Sequence, residues 1–315
     1  MTPESLLCIK KRGVDLYDSS VRSELRKLWD EGHLLLPTPL MMDTLRHSPQ
    51  QLDPMSSFMD VLQIYIETIK ARRSETQERE ELMAFLWEQF PGDLELYFAE
   101  DTRDEAATIM QLQHLCEWFR QEFPYYYGVC GRCNSPDTSS FVGFISSSPQ
   151  ERKFKASRTE LYYCKTCQAV THFPRFGLTS KVLETRRGRC GEYTAVMLRF
   201  LEGLGYRCKW VVNRGGHMWC EAMVKGRWVH VDPCEASVDD NQLYERWGRD
   251  LTYVLGFTRS EVQDVTSSYT SNFEKAKERR DLCEQEMTEL LAKATQLLRE
   301  PTVEEVAAMP DLAGG

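Results

Sequence analysis

The sequence predicts an α/β protein of the α+β kind, with amphipathic helices flanking an antiparallel sheet and a small cysteine-rich lobe between them. Three observations predict it. Apolar residues recur at helical spacing over 58–90, 104–119 and 271–299. Three strand-like runs rich in Val and Trp, Tyr206–Asn213, His217–Val224 and Trp228–Cys234, follow one another closely. Two Cys-x-x-Cys pairs lie in a stretch without helical periodicity.

Along the chain, residues 1–57 carry prolines at 37, 39, 49 and 54 and read as an irregular arm with one short helix at Val21–Trp29. A helical segment, 58–124, follows. Val61, Ile64, Tyr65, Ile69, Leu82, Phe85, Leu86 and Phe90 predict one long helix or two, and Ile109, Leu112, Leu115, Cys116 and Phe119 predict another from Asp104, stopped by Pro124. The lobe, 125–176, is expected to be non-helical, with a Ser-rich loop at 139–148. The core, 177–270, opens on Gly188-Arg189-Cys190-Gly191, after which Tyr193, Val196, Met197, Phe200, Leu201 and Leu204 mark a helix that begins at Cys190. Lys225-Gly226 reads as a tight turn joining the second and third strands. In the tail, 271–315, Cys283, Met287, Leu290, Ala294 and Leu297 predict a single amphipathic helix to Arg299, suited either to packing on its own domain or to holding a partner.

Composition excludes several classes. The 315 residues are 42% hydrophobic and 28% charged, as in a soluble globular protein. With 39 basic against 48 acidic side chains the net charge is −9, so nucleic acid is a poor partner. No apolar run is long enough for a signal peptide or a membrane span, and the 11 cysteines are mostly scattered singly, which predicts a cytoplasmic or nuclear protein in a reducing compartment.

Cys130-x-x-Cys133 and Cys164-x-x-Cys167 offer four thiolates as two knuckles, matching the tetrahedral demand of one structural zinc ion. Such a shell leaves no open position for substrate, and His172 nearby is not needed as a ligand. The second constellation is Cys190, His217 and Asp232. A thiol at a helix N-terminus feels the positive end of the dipole, which favours the thiolate. If the Lys225-Gly226 turn pairs Val224 with Arg227, position 219 faces 232, and His217 and Asp232 are diagonal neighbours on one face. That suits a nucleophile, a base and an orienting carboxylate, with His230 a rival base on the same face.

The runs Glu184-Thr185-Arg186-Arg187-Gly188-Arg189-Cys190-Gly191-Glu192, His217-Met218-Trp219 and Trp228-Val229-His230-Val231-Asp232-Pro233-Cys234-Glu235 resemble the cytosolic peptide:N-glycanases (PNGases) of the transglutaminase-like superfamily, over about residues 108–270. The resemblance implies a papain/transglutaminase-like core with a zinc lobe, in a core-only form without flanking modules. It implies Cys190 as nucleophile, His217 as base and Asp232 as orienter. The activity it implies is cleavage of the amide between an asparagine side chain and N-acetylglucosamine in denatured or misfolded N-glycoproteins. Trp118, as an oxyanion donor, and Trp219, Glu221, Trp228 and Glu235, as cleft residues, are the substrate-binding candidates, with packing in the core the alternative for Trp219 and Trp228. The family also binds a ubiquitin-receptor shuttle of the proteasome route through its terminal helices. The sequence departs from the family at Tyr193, Lys209 and Gly216, where Trp, Arg and Asp are usual, and these positions bear on the glycan side. Three rivals follow from the same residues: another acyl-transfer enzyme of the superfamily, a binding scaffold like the DNA-repair relatives that lack the triad, and a zinc-stabilised interaction module.

Overall fold

The computed structural model describes residues 54–301 apart from 74–75, 101–102, 136–138, 215 and 250. The helix expected at Val21–Trp29, nearly all of the expected arm and the end of the tail lie outside the described residues. The described residues divide into two compact units, one within Pro124–Glu192 and one within 51–123 and 193–301.

The 124–192 unit carries a three-stranded antiparallel sheet in the order β1-β2-β3, with β1 Ser139–Ile145, β2 Thr159–Cys164 and β3 Val170–Pro174. The expected loop at 139–148 is therefore wrong over its first seven residues. Edge strand β1 pairs with β2 from Ser139↔Cys164 to Ile145↔Thr159, with a bulge between Phe141 and Gly143, and its serines hid the alternation that marks a strand. The unit is also not wholly non-helical. Ser148 caps a short helix, Pro149–Lys153: its hydroxyl accepts from the Glu151 N–H at 3.2 Å, while the Glu151 carboxylate accepts from the Ser148 N–H at 2.6 Å. The apolar centre is small, with Tyr126, Tyr162 and Phe173 buried and Phe141 packed against them.

In the second unit, the segment expected as one helix or two forms two, Pro54–Ala71 and Thr76–Gln89. The inward stripe of the first is Phe58, Leu62, Ile66 and Ile69, and the expected Val61 and Ile64 instead stand 40% and 64% exposed. Asp104 caps the helix Glu105–Glu122 by accepting from the Ala107 N–H at 3.1 Å. The helix Cys190–Gly203 buries Tyr193, Val196, Met197, Phe200 and Leu201, and Leu204 beyond its end is buried too, as the spacing predicts.

The sheet of this unit is antiparallel throughout, in the order β7-β6-β5-β4-β8-β9. Its strands are β4 Cys208–Asn213, β5 His217–Val224, β6 Arg227–Asp232, β7 Ser237–Val238, β8 Val254–Phe257 and β9 Val262–Asp264. Lys225 and Gly226 both take positive φ, 49° and 83°, the type I′ geometry that matches strand twist, and the register runs from Val224↔Arg227 to Cys220↔Val231 as expected. Trp219, Tyr244 and Tyr269 fill the centre beside Val211, Leu251, Val254 and Val265.

The tail forms two helices, Phe273–Glu278 and Glu284–Arg299, where one was expected. Between them Arg280 turns inward, pairing with Asp264 at 2.7 Å and donating to the Thr252 carbonyl at 2.9 Å. Cys283 becomes the cap of the second helix, whose buried face is Met287, Leu290, Ala294 and Leu298 rather than Leu297. That face packs on the Pro54–Ala71 helix and β9. Among the described residues no helix is long and apolar enough to cross a membrane.

Candidate active site and metal centre

The four cysteines meet in the 124–192 unit. Their Sγ atoms all lie within 4.8 Å of one another, with Cys130 and Cys167 at 3.5 Å and Cys133 and Cys164 at 3.6 Å. Tetrahedral thiolates at the usual zinc–sulfur distance of about 2.3 Å would stand about 3.8 Å apart, so the cluster fits a metal of that size. Two equivalent turns build it. The N–H of Asn134 donates to the Cys130 carbonyl at 3.0 Å and that of Gln168 to the Cys164 carbonyl at 2.9 Å, and both residues take positive φ, 53° and 61°. The Cys133 and Arg132 amides hold the Cys130 thiol below its ordinary range. His172 is exposed and outside the cluster.

Strand β2 reaches from this cluster to the segment before Cys190. Glu160, four residues before Cys164, is buried and takes Arg175 at 2.8 Å and Arg189 at 2.7 Å. Arg175 also holds Glu192 through two bonds, 2.6 and 2.8 Å, and Glu192 accepts the Arg189 N–H at 3.0 Å. Tyr162 donates to Glu160 at 2.6 Å and accepts from Arg189. Although burial pushes the Glu160 carboxyl upward, these donors hold it below its usual range. The network ties down the turn in which Cys190, half-buried, starts its helix. Other thiols are unsuited to attack: burial pushes those of Cys116, Cys208 and Cys220 well above the ordinary range.

His217 and Asp232 meet in the second unit. His217 Nε2 lies 2.8 Å from Asp232 Oδ2, and both residues are buried. Asp232 Oδ1 accepts the N–H groups of Cys234 at 2.8 Å and Glu235 at 3.3 Å, and Oδ2 also accepts the Tyr244 hydroxyl at 2.8 Å. Burial alone would raise its pKa, yet the hydrogen bond and charge of His217 hold it below the usual carboxylate range. The rival His230 is fully buried, 2.7 Å from the Tyr244 hydroxyl, and desolvation lowers its pKa to about 4.

The remaining sequence candidates fall in different settings. Trp219 is buried and stacked on Tyr244 at 4.1 Å between ring centroids. Glu221 is buried, pairing with Lys209 at 3.2 Å and accepting the Tyr269 hydroxyl at 2.7 Å, and Lys209 lies 4.0 Å from the centroid of the half-buried Trp228. Trp118 is buried edge-on to Phe90 at 5.3 Å. Glu235 is exposed, and its carboxyl is raised by partial burial and by Asp232. Gly216 takes φ 94° in the turn before β5, a conformation that disfavours a side chain.

Sequence reasoning missed Tyr244 and Trp247. Trp247, 42% exposed, lies 5.8 Å from the His217 ring, centroid to centroid, and Tyr244 lies 5.2 Å from it. Both come from the short helix Leu243–Arg246 and its end, where no periodicity announces them.

Residues 139–233 match the family model of the transglutaminase-like superfamily. The peptide-N(4)-(N-acetyl-beta-glucosaminyl)asparagine amidase of Yarrowia lipolytica is 30% identical over 268 residues, covering 80% of this chain and 75% of that one. The chain belongs to this amidase family. The Oryza sativa amidase is 37% identical over 169 residues, covering 52% of this chain and 37% of the rice protein, so the chain spans well under half of that relative. Among solved structures, that of Rad4–Rad23 bound to a 6-4 photoproduct UV lesion aligns with a TM-score of 0.48 at 12% identity, covering 82% of this chain and 58% of that one.

Proposed function

We propose that the chain is itself a peptide:N-glycanase, hydrolysing the amide between an asparagine side chain and N-acetylglucosamine of denatured N-glycoproteins. The observation that carries this reading is the buried His217–Asp232 pair, held at 2.8 Å with the carboxylate kept ionised, in a member of the amidase family. Cys190 is the nucleophile: its sulfur bonds to the side-chain carbonyl carbon. The C–N bond then breaks, and the glycosylamine leaves with a proton from His217. With Nε2 engaged by Asp232, that proton passes through Nδ1. Water, deprotonated by His217, cleaves the thioester to give aspartate and restores the thiolate. The Cys190 N–H and the Trp118 indole N–H are assigned to the oxyanion, and Trp219, Glu221, Trp228 and Glu235 to the glycan and peptide sides.

One zinc ion would be held by Cys130, Cys133, Cys164 and Cys167, supplying folding energy to the lobe and no chemistry, since four thiolates close its shell. The reading places the protein in the cytoplasm, with a ubiquitin-receptor shuttle as partner. Cys190→Ala tests it: release of glycan from a denatured glycoprotein should vanish while the far-ultraviolet spectrum is unchanged. Retained release would remove Cys190 from the mechanism.

A further inference from the structure

We propose that Tyr244 and His230 are positioning residues for Asp232, joined in a one-way hydrogen-bond relay that runs from a backbone amide through a neutral imidazole and a phenol to the carboxylate. This rests on the reading of Asp232 as the residue that orients His217.

Contacts at both ring nitrogens of His230 fix the direction independently. The Tyr244 hydroxyl lies between Asp232 Oδ2 at 2.8 Å and His230 Nε2 at 2.7 Å and has one proton to give. The carboxylate is the stronger acceptor, so the phenol donates there, and His230 must donate its Nε2–H to the phenol oxygen. From the other side, His230 Nδ1 faces the Asp240 N–H at 3.4 Å, and a backbone amide can only donate. Nδ1 therefore accepts and carries no proton. Both contacts give the same neutral tautomer. The charged and titratable groups around this ring are Asp232, Asp239, Asp240 and His217, with Tyr244 and Tyr269 in edge-on contact and Glu221 across the β5–β6 register. Burial outweighs the acidic neighbours and keeps the ring uncharged at neutral pH.

The consequence is a carboxylate with two donors on each oxygen: His217 and Tyr244 on Oδ2, and the Cys234 and Glu235 amides on Oδ1. It cannot rotate without leaving a buried donor unpaired, which costs more than the bond itself contributes. His230 thus supports the site from behind Tyr244 and is not a second base.

Tyr244→Phe in the full-length protein tests the relay by deleting one hydroxyl. Histidine 1H–15N spectra of the unaltered protein should show His230 with Nε2 protonated and no titration between about pH 8 and pH 5.5. In Tyr244→Phe the lost donor concentrates charge on Asp232, so the His217 titration should move up by roughly half to one pH unit. With a denatured N-glycopeptide, kcat should fall roughly tenfold with KM unchanged. A His230 ring protonated at Nδ1, or charged at neutral pH, overturns the proposal. So do an unmoved His217 titration and an unchanged kcat in a folded Tyr244→Phe protein. If that variant fails to fold, His230→Gln, which keeps a donor, and His230→Leu, which does not, replace it; equal kcat in the two would likewise overturn the relay. Should the unaltered protein release no glycan, the activity reading falls, while the spectra still decide the relay.

Discussion

The two units differ in how far their buried charges depend on one another. In the 124–192 unit, Glu160, Arg175, Arg189, Glu192 and Tyr162 form a lattice of ion pairs and hydrogen bonds beside a small aromatic cluster of Tyr126, Tyr162 and Phe173, and four thiols converge at one end. In the other unit the buried Lys209–Glu221 pair is an isolated one, and Asp232 has no Lys or Arg partner, standing among Trp219, Tyr244, His217 and His230 over a six-stranded sheet with a larger apolar cluster. A lattice of charges repays its desolvation only while every partner stays in place. Small lobes with little apolar area need a staple, and the four-cysteine centre is suited to be one. The larger unit draws on packing and can hold Asp232 ionised with donors that come only from its own backbone and from neighbouring rings. Stability of the first should therefore respond to metal, and of the second to volume and to pH.

Removing the metal should have the largest effect. Structural zinc supplies about 10–16 kcal/mol in small modules, so Cys164→Ser or chelation should unfold the lobe. Amide exchange would become fast across 125–175 and stay slow in β4 to β6, and unaltered protection in 125–175 after proven metal loss would break the contrast. Next comes Trp219→Ala, which empties the centre of the second unit and should cost about 3–5 kcal/mol in denaturant unfolding. A loss under about 1 kcal/mol would mean that the ring does not carry the core.

The pH response follows from His230, whose pKa falls from 6.5 unfolded to about 4 folded. Between those values the unfolded chain binds the extra proton, so stability rises with pH and is lost as pH falls through the window. The contribution is about 2–3 kcal/mol between roughly pH 7 and 4.5. Urea unfolding of the unaltered protein and His230→Gln at both pH values isolates it, and equal slopes would contradict it. The smallest effect is Ser148→Ala in the lobe, which removes a helix cap and should cost about 1 kcal/mol. A variant as stable as the parent would show that the cap adds nothing to the lobe.

Where local chemistry is strong, the sequence announces the structure. Lys225-Gly226 dictates a type I′ turn, and through it the register that makes His217 and Asp232 diagonal neighbours. The two Cys-x-x-Cys pairs carry their geometry within five residues each, Asn134 and Gln168 closing the turns. The helix from Cys190 is legible because its buried stripe is unbroken. Long-range effects were not legible. Strand β1 exists because β2 offers it an edge, while Ser139, Ser140 and Gly143 interrupt any strand pattern in its sequence. The tail breaks at Arg280 because Asp264, distant in sequence, draws the side chain in. Val61 and Ile64 have the right spacing but the wrong face, since Phe58, Leu62 and Ile66 offer a deeper stripe one step round the helix. Tyr244 carries no local mark, because its role depends on two strands that meet only in the fold.

The proposed reaction is cleavage of a side-chain amide through an enzyme thioester resolved by water. Mass spectrometry of a denatured N-glycopeptide, incubated with the purified protein in heavy-oxygen water, tests it most directly. The expected products are a peptide with aspartate at the former glycosylation site, one heavy oxygen in the new carboxyl group, and a free glycan released as its glycosylamine. A peptide that keeps its glycan, carries an amine in place of it, or is cut in its backbone would contradict the account.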